Sequence, residues 1–198
     1  MLALIQSYMW IWGGTFPGAI FVVAFGVLAL GVHAAHRRGD SLAELGIRLD
    51  TFLPAAREAA AVTLPIVMVI LIAGAFFDRI RPDWRVVIGR LLWLVGWGFL
   101  QQFMLQGFVH RNLAAVVARD RDRDLLVGAV FAFCHLPNPR LTIATFVAGW
   151  IWAILFRRRP NLFAIALSHA VGSAALSIAF GPELMGGMRV GRGYLNLR

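Results

Sequence analysis

Six runs without a charged side chain partition the chain: residues 1–35, 59–77, 91–109, 125–139, 141–156 and 160–182. A helix needs about 20 residues to cross roughly 30 Å of hydrocarbon, so the first three runs and the last are long enough to span a bilayer. The fourth and fifth are shorter, and Pro137 and Pro139 predict a sharp break between them. Mean hydropathy of +0.74 and a hydrophobic content of 60% agree with lipid as the solvent. The expected fold is an all-α, polytopic integral membrane helical bundle of about six transmembrane helices. Residues 1–182 form its single domain, and 183–198 a short, polar and flexible C-terminal tail.

The formal charge of +9 comes from 19 basic residues, all arginine, against 10 acids. With six alternating spans, the linkers at 36–58, 110–124 and 157–159 fall on one side and carry the larger arginine set. The positive-inside rule makes that side cytoplasmic and puts both termini outside. The arginines lie in clusters between apolar runs and form no continuous stripe, a pattern that suits anionic lipid headgroups and argues against nucleic acid. "RDRDRD" at 119–124 reads as a solvated turn, and His110, beside Arg111, as an interfacial residue. The single cysteine, Cys134, permits neither an internal disulfide nor a cysteine zinc cluster. A Gly14–Gly18 pair has the spacing of a close helix contact, weakened by Pro17.

Three runs carry polar side chains well away from their charged flanks. On a rise of about 1.5 Å per residue, Gln101 and Gln102 lie about 13 Å from Arg111, His135 about 16 Å from Asp124 and His169 about 15 Å from Arg159. All three depths are measured from the same proposed side, and a polar group facing lipid is costly, so a shared interior cavity follows. Gln102 and Gln106 share a helical face, as do His169 and Ser173, and Phe131 sits one turn before His135. Two histidines could bind zinc through ring nitrogens, with an amide oxygen of Gln101 or Gln102 as an inferior further ligand. Glutamine, however, is no general base. The acids lie in loops, with Glu44 and Glu58 before the second span and Glu183 after the last. Interhelical hydrogen bonding and chemistry both remain open readings of these amides.

The order "QQFMLQ" at 101–106, "FAFCH" at 131–135 and "HAVGS" at 169–173 resembles the CAAX protease and bacteriocin-processing family, also called the ABI family. The family pattern is a glutamate pair followed after three residues by arginine, then Phe-x-x-x-His, then His-x-x-x-Asn. The resemblance covers roughly residues 45–173 and is strongest from "AFCHLPNP" onward. Phe131, His135 and His169 match intact; Gln101 and Gln102 stand where the family has glutamates, Gln106 where it has arginine and Ser173 where it has asparagine.

The resemblance implies a helical membrane protein of an intramembrane metalloprotease lineage, in which acids and histidines activate water at a zinc site. Carried over, His135 and His169 are the candidate zinc ligands. Gln101, Gln102, Gln106, His135, His169 and Ser173 together form a candidate or vestigial catalytic site. Replacing two carboxylates by amides keeps shape and hydrogen-bonding capacity but removes two negative charges. The expected function is therefore that of a catalytically impaired homologue binding a membrane protein or lipidated peptide. The alternative is an active metal-dependent endopeptidase with an altered first motif, and a small transporter or lipid-binding bundle is a third reading. The expected location is a bacterial or archaeal plasma membrane.

Overall fold

A computed structural model of the protein describes residues 1–13, 15, 16, 18–77, 80 and 84–196, without the side chains of 84–86, 90, 182 and 183. The Gly14–Gly18 pair with Pro17, and the side chain of Glu183, lie outside the described residues. Every regular element described is helical. The N-terminal run is not one span: it divides into α1 (Leu2–Ser7), which continues as a π-helix over Tyr8–Trp12, and α2 (Ala19–Arg38). Next come α3 (Phe52–Phe76) and α4 (Trp84–Gln102), which passes without interruption into a π-helix over Phe103–His110 and the short α5 (Arg111–Ala114). The second half holds α6 (Asp120–Phe133), α7 (Pro139–Arg158), α8 (Leu162–Met185) and α9 (Gly191–Leu195).

By length and apolar composition α2, α3, α7 and the Leu162–Gly181 part of α8 each suffice to cross a membrane. The fourth expected span is α6, whose 14 residues reach about 21 Å, so it crosses only part of the hydrocarbon. Only 11% of the apolar window of α3 is buried inside the bundle, and Met68, Val69, Ile72 and Phe76 stand exposed along it. An apolar surface of that extent is ordinary only against lipid. Polar satisfaction is left to the interior, where α8 is the central helix, packed on α3, α4 and α7.

The arginine-rich linkers meet at one end of the bundle, as their proposed common side requires. Asp40, just after the end of α2, bonds Arg38 at 2.7 Å and Arg111 at 2.6 Å. Glu58 near the start of α3 holds Arg158 at 3.0 Å and Arg159 at 2.8 Å from the end of α7. Gly46, at φ 79°, turns the α2–α3 linker so that its carbonyl accepts the Leu162 N–H of α8 at 2.8 Å. A Cβ there would lie 2.7 Å from the Phe156 ring and also meet strain from the left-handed backbone.

Two expectations change at the ends. "RDRDRD" is no solvated turn, because Asp120 opens α6 and Asp120 and Asp122 complement its N-terminal dipole, while Asp124 turns inward to 1% exposure. The C-terminal stretch is no free tail. Buried Asn138 caps α7 by accepting the Leu141 N–H, and its amide donates to the carbonyls of Met185 at 2.8 Å and Arg189 at 3.2 Å. The Gly191 N–H adds a bond of 2.7 Å to Leu136. Replacing Asn138 by Ala removes a cap and two tethers. It is expected to cost about 2 kcal/mol and to accelerate tryptic cleavage after Arg189 and Arg192, both readable by thermal unfolding and limited proteolysis in detergent.

Candidate functional site

Four elements converge on Phe131. Its own helix, α6, carries His135 one turn later, and the two rings meet edge to face at 4.6 Å. From α8, His169 presents its ring to the same phenylalanine at 5.7 Å, and from α7 Trp152 stacks on His169 at 4.5 Å with an interplanar angle of 27°. The end of α4 and its π-helical continuation complete the group with Gln102 and Gln106 respectively, both fully buried. Helices with i→i+5 pairing recur as local bulges at functional sites.

The hydrogen bonds run in one direction. Gln106 Nε2 donates to Gln102 Oε1 at 3.2 Å, and Gln102 Nε2 lies 3.2 Å from His169 Nδ1. His135 Nδ1 donates to the Phe131 carbonyl at 2.7 Å. Beside them, the Trp152 indole N–H donates to Ser168 Oγ at 2.9 Å, and that hydroxyl shares a hydrogen bond of 2.7 Å with Thr63 Oγ1 of α3. Gln106 Oε1 is buried with no hydrogen-bond partner among the described residues.

A cavity of about 720 Å³ opens between α1, α2, α3, α4 and the α6–α8 group. Gln101, His135, His169 and Ser173 all line it, with Thr63, Trp152 and Ser168. Gln102 and Gln106 do not: they sit behind His169 and act on the cavity only through its ring. Met1, Leu2 and Ile5 of the N-terminal segment form part of the wall. No charged side chain is among the described lining residues.

The expected site residues are thus brought together, in two layers. Sequence reasoning missed Trp152 as a ring partner of His169 and the Thr63–Ser168 hydroxyl pair. A hydroxyl next to a histidine in an apolar run was the available signal for Ser168.

It also missed a polar cluster at the arginine-rich end. His110, placed at the interface by its neighbour Arg111, is 6% exposed and lies 3.4 Å from Asp124 Oδ1. Arg157 approaches the same carboxylate through Nη2 at 2.7 Å and Nε at 3.1 Å.

Residues 82–175 match the family model described as Type II CAAX prenyl endopeptidase Rce1-like. No curated protein and no solved structure matches the chain. The matched segment starts just before α4 and includes Gln101, Gln102, Gln106, His135, His169 and Ser173. The match covers just under half of the chain, and over that segment, which carries both cavity histidines of the all-α bundle, the protein is similar to the CAAX prenyl endopeptidase-like family.

Proposed function

We propose that this protein is a non-hydrolytic member of its family that holds a membrane-embedded peptide or lipidated protein tail in the cavity. The observation that carries this reading is a cavity with two imidazoles and no carboxylate among its described lining residues. A hydrolytic zinc centre takes three protein ligands and, beside them, a group that accepts a proton from bound water. Here each imidazole has its Nδ1 engaged, so the set offers at most two neutral ring nitrogens. Gln102 is occupied by His169 and Gln106, and no group of three His, Cys, Asp or Glu side chains suited to a metal occurs among the described residues. The chemistry of this donor set does not fit zinc-dependent peptide hydrolysis.

The apolar walls suit a peptide or a lipid tail, and hydroxyls and amides supply the few polar contacts such an occupant needs. At the arginine-rich end Arg37, Arg57, Arg119 and Arg121 are exposed and make no ion pair among the described residues, which suits anionic headgroups. The plasma membrane of a bacterium or archaeon remains the proposed location.

The test is a fluorescent peptide ending in a prenylated cysteine, incubated with protein purified in mild detergent, with zinc measured on the same sample. The expected result is a complex from which the peptide is recovered intact, with no stoichiometric zinc even after controlled reconstitution. Cleavage that disappears in a folded His135→Ala/His169→Ala double variant overturns the reading and restores the active-peptidase alternative. So does about one zinc per chain that the double variant loses. A peptide neither bound nor cut overturns the reading as well.

A further inference from the structure

Apart from the histidines, the cavity wall carries a second polar patch, where Thr63 of α3, Trp152 of α7 and Ser168 of α8 meet. The indole N–H of Trp152 only donates, so Ser168 Oγ accepts it at 2.9 Å. Ser168 Oγ and Thr63 Oγ1 are 2.7 Å apart, a distance that holds one proton between them. The patch therefore has three protons, one from the indole and one from each hydroxyl, and its two hydrogen bonds use only two of them. A helical hydroxyl can place its proton on the carbonyl one turn back, as Thr145 does on Leu141 at 2.8 Å. Among the described residues neither Thr63 nor Ser168 makes such a bond. One hydroxyl proton is left for whatever enters the cavity.

Exposure decides which one. Ser168 is 5% exposed and its oxygen already meets two partners, whereas Thr63 is half-buried and lines the cavity. The chain thus runs from the Trp152 N–H to Ser168 and from the Ser168 O–H to Thr63, with the Thr63 O–H at its open end. Each bond in such a series polarises the next and strengthens the terminal donor. An occupant must offer that proton an acceptor.

Three helices place the patch at one depth. Thr63 stands five residues after Glu58, Ser168 six after Leu162 at the start of α8, and Trp152 six before Arg158. At about 1.5 Å per residue, each lies about 8–9 Å from the rim where Glu58 meets Arg158 and Arg159. The polar layer on either side of a bilayer is about 5–7 Å thick, so this depth is the boundary with the hydrocarbon. The ester carbonyls of membrane lipids lie at that boundary, each with an acyl chain pointing inward. Ile66, Val67 and Ile70 of α3 and Leu176 of α8 carry the cavity on from there as an apolar wall.

We propose that the Thr63 hydroxyl, aimed by Trp152 and Ser168, is a binding subsite for the carbonyl of a fatty-acyl ester whose chain lies along this wall. An ester carbonyl accepts a hydrogen bond and never donates one, which is the complement of a single spare donor. The subsite uses neither histidine and does not rest on the peptide-holding reading above.

Infrared spectroscopy of the full chain in alkyl maltoside micelles tests this with methyl dodecanoate, because neither backbone amides nor this detergent absorb at the ester carbonyl frequency. The expected spectrum adds to the free-ester band a second band at lower wavenumber, which saturates when ester exceeds protein. Thr63→Val keeps the shape of the side chain and removes the donor, so the lower band is expected to disappear, and Thr63→Ser is expected to retain it. Thermal unfolding reports whether the variants fold, and Thr63→Ala takes the place of Thr63→Val if valine is not accommodated. A lower band that persists in the folded valine or alanine variant overturns the subsite. So does a wild-type spectrum with the free-ester band alone, or a folded Thr63→Ser variant that loses the lower band.

Discussion

Replacing Asp124 by Ala is expected to destabilise the bundle by about 2 kcal/mol, since it removes the buried acceptor of charge-assisted hydrogen bonds, while the half-buried Arg157 retains Asp120 at 3.1 Å. The carboxylate is 1% exposed, takes two hydrogen bonds from Arg157 of α7 and faces His110 at the end of the π-helix. Two further elements, α7 and the π-helix, therefore lose a common acceptor on α6 at once. Asp124→Asn retains the shape and part of the hydrogen bonding and is expected to cost about half as much. Equilibrium unfolding in detergent–SDS mixtures gives the difference, and the double variant with Arg157→Met gives the coupling: the pair together should cost less than the sum of the two single changes. A loss below about 1 kcal/mol in Asp124→Ala would show that the cluster does not hold these helices.

Gly128→Val carries the other large effect, expected at about 3 kcal/mol or more. A Cβ at Gly128 would stand 2.8 Å from the Phe146 carbonyl oxygen and 3.0 Å from the Trp150 backbone nitrogen, and backbone cannot swing aside as a side chain does. Gly149 faces it across the same contact, where a Cβ would be 3.2 Å from the Gly128 Cα and 3.1 Å from the Phe131 Cβ. Replacing helical glycine by the β-branched valine gains only about 0.3 kcal/mol of helix propensity, whereas overpacking costs about 1–3 kcal/mol and more where backbones must separate. The clash outweighs the gain. Because the forced separation begins one turn before Phe131, it also displaces the ring between the two histidines. Thermal unfolding and the histidine NMR pattern should change together. Native stability in Gly128→Val would rule out the close α6–α7 approach.

How far the sequence sufficed depends on whether the deciding physics was local. The fold class was legible because the charge-free runs report their solvent directly, and the clustering of the linker arginines at one end followed from alternation of those runs. His135, His169, Gln101 and Ser173 were legible as lining residues, because a polar side chain deep in an apolar run has few acceptable directions. The two-layer arrangement was not. Gln101 and Gln102 are neighbours on α4, so their side chains diverge, but only the packing of α4 on α8 shows which of them meets the cavity and which meets His169 from behind.

Asp124 was misread for a different reason. Its neighbours alternate in charge as a solvated turn would, and the inward-facing position four residues after Asp120 shows only when α7 brings Arg157 to it. The break of residues 1–35 into α1 and α2 had a local signal in "GGTFPG" at 13–18, which was outweighed by reading the uninterrupted apolar length as a single span.

The two ends of the bundle are fastened by different forces. One rim is held by the arginine pairs with Asp40, Glu58 and Asp124, and the other by the neutral amide of Asn138 and by backbone hydrogen bonds around the α6–α7 turn. Dissolved salt, by shortening the Debye length, weakens the most exposed of these ionic links, those of Glu58 with Arg158 and Arg159, and leaves the amide links untouched. The molecule is therefore mechanically polarised. Headgroup charge and ionic strength tune the stiffness of the arginine rim, while the rim beside His135 keeps the same compliance whatever the electrolyte.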